Sequence, residues 1–186
     1  DPARRMALQE AGLLAVHASL DELPAGLVPA ALVLAVKPQV MASVAPACVR
    51  LVGAETLVLS IAAGKSIASF EAIFGQQAGI VRSMPNTPAA IGLGASVLVA
   101  NPAATAAQRA LAADLLSAVG IVEWIDDEEQ MHAVTALSGS GPAYVFLLIE
   151  SMAAAGRRLG LDADLAMRLA RTTVSGSGEL ARRSRS

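Results

Sequence analysis

The chain writes its hydrophobic residues in two different ways. Up to about Ile125, short apolar runs are cut apart by Gly, Pro and Asn. Leu32–Val36, Leu57–Ala62, Gly79–Arg82, Ala95–Ala100 and Gly120–Ile125 are near-continuous rather than alternating, as in strands buried on both faces. Helical signals fill the gaps. Gln39–Val52 reads as a helix broken near Pro46; Ser66 caps a helix that runs through Phe74 and stops at Gly75; Asn101-Pro102 opens one that ends before Gly120. Strands alternating with helices at this spacing predict an α/β unit with a mainly parallel sheet. Ahead of it, Asp1-Pro2 reads as the cap and first turn of a helix to about Ala11, with Gly12 as its stop.

From Asp126 the pattern is helical, so the chain divides into 1–125, a sheet domain, and 126–186, an all-helical domain. The hinge is Val134–Tyr144, Val-Thr-Ala-Leu-Ser-Gly-Ser-Gly-Pro-Ala-Tyr. One helix is expected to end near Leu137 and another to start near Pro142, with Ser140 as N-cap. Ala143–Ala155 is apolar nearly all round, with only Glu150 and Ser151 polar. So short a tail has little of its own to bury such a helix against, which predicts a second subunit over it: a homodimer or a higher homo-oligomer. Asp162 caps a last helix to about Ala181, and Arg182–Ser186 is expected to fray.

Composition narrows the partners. Hydrophobic residues make up 54% and charged ones 16%, enough for a packed core. A net charge of −2 speaks against nucleic acid or an anionic membrane. No unbroken apolar run reaches membrane-spanning length; the longest surrounds Leu27–Val36. The single cysteine, Cys48, excludes an intramolecular disulfide and fits a buried small hydrophobe in a reducing, cytoplasmic setting.

Ligands of open α/β sheets bind outside the carboxyl ends of the strands. That rule selects Ala35-Val36-Lys37-Pro38, Ile61-Ala62-Ala63-Gly64 and the stretch Ser83 to Pro88. All are turns of small residues, Pro and Asn, which a flat nucleotide approaches closely. Lys37 is either a phosphate or carboxylate contact or a plain solvated strand end. The hinge is either a helix–helix corner or an anion-receiving turn. His17 and His132 have no partner spacing for zinc, so no metal is expected. The acidic run Asp126–Glu129 reads as the first turn of a helix, and Trp124 as a core plug between sheet and helices.

Four segments also resemble, in order, the pyrroline-5-carboxylate reductases of proline biosynthesis. They are Ala35-Val-Lys-Pro38, Ser60-Ile-Ala-Ala-Gly64, Arg82-Ser-Met-Pro-Asn-Thr-Pro88 and Thr135-Ala-Leu-Ser-Gly-Ser-Gly-Pro-Ala-Tyr144. The resemblance implies a Rossmann-like domain followed by a helical dimerisation domain, with hydride transfer from NAD(P)H to the C=N bond of 1-pyrroline-5-carboxylate. It implies cofactor contacts at Ala35, Val36, Lys37, Pro38, Ala62, Ala63, Gly64 and Asn86. It implies a substrate pocket from Met84, Thr87, Ser138, Gly139 and Ser140, with no catalytic acid assigned. The Gly-x-Gly-x-x-Gly fingerprint and a Ser-Pro-Gly-Gly-Thr-like substrate loop do not occur in these residues, so a longer chain is expected, with the first before Asp1 and the second after Arg185. Arg4 and Arg5 then stand where an adenosine ribose is expected. An Arg there accommodates a 2′-phosphate, which favours NADP and leaves NAD as the alternative. A sister reductase of another imine or keto acid, a non-catalytic NADP sensor and a bare oligomerisation module are the competing readings.

Overall fold

The computed structural model describes residues 2–10 and 15–184, apart from the side chains of Pro2, Arg4, Arg5 and Gln9. Five strands form one sheet in chain order: β1 (Ala31–Leu34), β2 (Leu57–Ser60), β3 (Gly79–Met84), β4 (Gly94–Ala100) and β5 (Gly120–Trp124). β1, β2 and β3 are parallel, β4 runs against β3, and β5 is parallel to β4. Three of the four pairings are thus parallel, as the apolar runs predict. The register sets Leu34, Ser60 and Arg82 side by side. The carboxyl ends of β1 to β3 and the amino ends of β4 and β5 therefore open on one edge of the sheet.

The strands stop earlier than their apolar runs. Val36 and Ala62 lie outside β1 and β2, because Pro38 and Gly64 already turn the chain, the latter at φ 70°. Between β1 and β2 the helix broken at Pro46 is seen as a short α2 (Met41–Val44) between two 3₁₀ turns. Ser66 caps α3 (Ile67–Phe74) by accepting the Ser69 N–H, and Gly75 ends it at φ 91°. Asn101 does not open a helix. It is buried, and its amide accepts the Ile80 N–H and donates to Ala78 O and Glu71. The helix α4 (Ala106–Ser117) begins later, where Thr105 and Gln108 form a capping box. An Asn wired into a neighbouring strand has no atoms left for a cap.

Two apolar clusters sandwich the sheet. On one face Leu34, Val58, Ile80 and Val99 pack under Met41, Cys48, Ile67, Phe70 and Met131. On the other, Leu57, Leu59, Val81 and Leu98 meet Ala104 and Ala112, with Trp124 partly buried beside Leu111 and Arg109 stacked 5.3 Å above its ring. Burial of a side chain such as Phe70 contributes about 2 to 3 kcal/mol. Cys48 lies inside the first cluster, and burial raises its thiol pKa. Only a thiolate reacts readily. Labelling of Cys48 by a thiol reagent is therefore expected to track unfolding; fast labelling of the folded protein would contradict the packing.

α1 (Pro2–Glu10) stands ahead of the sheet; its expected cap Asp1 and stop Gly12 lie outside the described residues. Beyond β5, a short turn at Glu128–Gln130 leads into α5 (Met131–Val134), and α6 (Gly141–Arg158) and α7 (Ala163–Arg183) follow. Asp162 caps α7 through the N–H groups of Asp164 and Leu165. α7 runs on to Arg183, and Arg182 and Arg183 both pair with Glu179 and hold its carboxyl down to about 2; Arg185 and Ser186 of the expected frayed end lie outside the described residues. At the hinge a π turn, Thr135–Gly139, is followed by Ser140, and α6 starts at Gly141, close to where the sequence places the two helix ends. Taken together, Glu128 to Arg158 is a helical stretch of 31 residues, long and apolar enough to cross a membrane by length and composition. Counting only unbroken apolar runs missed this helix, because scattered polar residues interrupt it.

Candidate functional site

The three turns selected from sequence lie side by side at the open edge of the sheet. Ala35 and Lys37 after β1, and Ala63 and Gly64 after β2, are exposed; Val36, Pro38 and Asn86 are half-buried and Ala62 is buried. The Ala62 N–H donates to Ser60 Oγ, which fixes the second turn. Nothing lies within 4 Å of where a Cβ on Gly64 would be. The edge is thus a backbone-rich shelf that is open at Gly64. Arg4 lies in α1, but its side chain is outside the described residues.

The third turn is bolted to the hinge. Asn86 Oδ1 accepts the Ala95 N–H at 2.9 Å, which pins the 3₁₀ turn Thr87–Ile91 to β4. Its Nδ2 donates to Ser138 Oγ at 3.2 Å and to Ser138 O at 3.4 Å. Met84 reaches Gly139 so closely that a Cβ there would stand 2.6 Å from Met84 Cε. Met84, Asn86, Ser138 and Gly139 therefore form one junction, and Ser140 follows on the same turn. Thr87 is exposed and starts the 3₁₀ turn beside it.

A wide helical turn makes this contact possible. Across Thr135–Gly139 the backbone takes π geometry, with Ser140 N–H donating to Thr135 O at 2.8 Å. Such an insertion rotates the residues around it off the ordinary helical register. Thr135 Oγ1 donates to Met131 O, and Tyr144 folds back so that its hydroxyl donates to Ala136 O at 3.2 Å. Ser140 has helical backbone angles and makes no side-chain cap. α6 starts at Gly141, directly after this turn, which is the helix–helix corner of the two readings.

Sequence reasoning missed two features. Glu128 does not serve its own helix; Asp127 does, by accepting the Glu129 N–H. Glu128 crosses instead to Arg82, 2.7 Å away, and to the Ile67 N–H at the head of α3. The acidic run made every carboxylate there look equivalent. The second feature is Ser83, whose buried Oγ has no partner among the described residues. Ser83→Ala is expected to stabilise the fold by about 1 kcal/mol, because an unmade buried hydrogen bond is costly. Urea unfolding checks it, and a clear loss of stability would show that the hydroxyl is used.

A groove of about 490 Å³ lies between α6 and α7, lined by residues that include Phe146, Ile149, Glu150, Met167, Arg171 and Ser175. Its walls carry no link to the strand-end turns, and the junction has the better claim to chemistry.

The family model described as pyrroline-5-carboxylate reductase dimerisation matches residues 128–186. A pyrroline-5-carboxylate reductase of Pseudomonas aeruginosa is 52% identical over 149 residues, 80% of this chain and 55% of that protein. The chain belongs to the pyrroline-5-carboxylate reductase family. Solved pyrroline-5-carboxylate reductases agree with that membership. One from Coxiella burnetii superposes with a TM-score of 0.79 at 38% identity, covering 87% of this chain and 60% of that one. One from Plasmodium falciparum, solved with NADP bound, gives 0.76 at 35% identity, covering 84% and 59%. The chain spans a little over half of the Pseudomonas relative's length.

Proposed function

We propose that this chain is the sheet and dimerisation portion of an NADPH-dependent reductase that converts 1-pyrroline-5-carboxylate to L-proline in the cytoplasm. The observation that carries the reading is the junction of Met84 and Asn86 with Ser138 and Gly139, at the edge where α/β sheets hold their ligands. On this reading residues 1–125 are the dinucleotide side and 126–186 the dimerisation side. Ala35, Val36, Lys37, Pro38, Ala62, Ala63 and Gly64 form the shelf for the nicotinamide nucleotide, with Asn86 at its end. Arg4 supports NADP over NAD by its expected place at the adenosine ribose. Met84, Thr87, Ser138, Gly139 and Ser140 wall the substrate.

When bound, NADPH supplies the hydride. The chain contributes position: the shelf fixes the nicotinamide plane, and the junction holds the substrate wall at a set distance from it. Lys37 offers a cation to a phosphate or a carboxylate. The P. falciparum relative solved with NADP bound supports the cofactor. A second copy of the chain is the partner. It covers α6, where Phe146 is 59% and Leu147 63% exposed, and the groove beside α7. That partner also accounts for the long apolar helix without a membrane.

The test is NADPH oxidation by the full-length protein with 1-pyrroline-5-carboxylate, set against NADH and against other cyclic imines and 2-keto acids. Turnover is expected with this substrate, faster with NADPH. Arg4→Ala is expected to narrow the preference for NADPH. Binding of NADPH without turnover would end the proline assignment and favour the sister reductase or the sensor.

A further inference from the structure

The head of α3 already holds an anion, and it comes from the chain itself. Ile67, the first residue of α3, donates its N–H to Glu128 Oε1 at 2.8 Å, and Arg82 Nη1 donates to the same oxygen at 2.7 Å. The Arg82 side chain is 11% exposed and that of Glu128 27%. Without Glu128, what remains is a helix N-terminus beside a nearly buried guanidinium. The head of α3 follows the Gly64 turn, and Arg82 stands on β3 in register with Ser60, the last residue of β2. That pairing is an oxyanion site: backbone N–H and helix dipole on one side, a charged donor on the other. The carboxylate seated in it is the observation that makes it one.

We propose that Glu128 is a built-in anion that keeps the Arg82–Ile67 oxyanion site closed, so that the oxyanions of ligands at the neighbouring turns cannot settle there. A dinucleotide phosphate or a substrate carboxylate drawn to the head of α3 would be pulled away from the Ala35–Pro38 shelf. With Glu128 in place Arg82 is neutralised, and an arriving anion is left to Lys37. Glu128 thus acts as a specificity-determining residue.

The test uses full-length protein and thermal unfolding with inorganic phosphate or acetate, which needs no turnover. Its failure is therefore separable from failure of the reductase reading. Wild type is expected to respond only weakly, through Lys37. Phosphate is expected to raise the melting temperature of Glu128→Ala by about 3 °C more than that of wild type. Glu128→Gln keeps the shape, loses the charge and should show a smaller gain; it carries the test if the alanine variant does not fold. Phosphate acting alone would mark the cofactor's phosphates as the excluded group, and acetate acting alone the substrate's carboxylate; either result supports the proposal. If Glu128 were a structural strut only, both variants would melt lower with no anion dependence. Folded variants that respond as wild type does would overturn the proposal.

Discussion

Gly120→Ala is expected to abolish folding, or nearly so. Gly120 opens β5 at φ 148°, paired with Gly94 of β4. A Cβ there would stand 2.0 Å from Gly94 O and 2.5 Å from Gly94 C and N. All three atoms are backbone, so no rotamer change relieves the clash. Moving Gly94 would also break its N–H bond to Val119 O and separate β4 from β5 at their first pair. The loss is expected to exceed about 4 kcal/mol, at or beyond the usual limit for single substitutions. Domains are stable by only about 5 to 15 kcal/mol, so little folded protein should remain. Gly26→Ala is the control. It too has positive φ, 77°, but nothing lies within 4 Å of the new Cβ. It should cost about 1 kcal/mol, the conformational term alone. Equal urea midpoints for the two variants would contradict the close strand approach at Gly94.

The glycine contrast also shows where sequence reading stops. Ser66, Gly75 and Asp162 could be placed from sequence because a cap acts on residues two or three positions away. Asn101 is the same kind of residue, yet its amide goes to β3 and α3, far off along the chain. No local rule separates the two uses. The shelf was legible for a related reason: small residues after a buried strand report a sheet edge wherever the other strands run. The hinge was legible as a place but not as a shape. Gly139 and Gly141 suggested a loop, yet neither has positive φ. At Gly139 the use is small size, which lets Met84 close on it; a Cβ on Gly141 would meet open space. Glu128 was hidden among four adjacent carboxylates, and only the position of Arg82 tells which of them crosses to α3.

Asn86→Leu is expected to cost far more activity than stability. Leucine keeps the branched shape, though larger, but has neither hydrogen-bonding atom. The Ala95 N–H loses its acceptor, and Ser138 loses its only side-chain link to the strand-end turn among the described residues. Asn86 is half-buried, so water replaces part of what is lost, and the stability change should stay near 1 to 2 kcal/mol. Activity depends on more than those bonds. On the proposed reading the nucleotide shelf and the substrate wall belong to different halves of the chain, and Asn86 with the Met84–Gly139 contact sets the distance between them. A displacement of about 1 Å at a reacting centre can cost about a hundredfold in rate, and that is the expected fall in kcat. Asn86→Asp separates the two functions of the side chain. It keeps an acceptor for Ala95 but turns an oxygen toward Ser138 O, so it should hold stability better than leucine and still lose turnover. Melting curves and NADPH oxidation, measured on the same samples of full-length protein, decide the point. If turnover fell only in proportion to the unfolded fraction, the side chain would be a fold element alone, and the distance between shelf and wall would be set elsewhere.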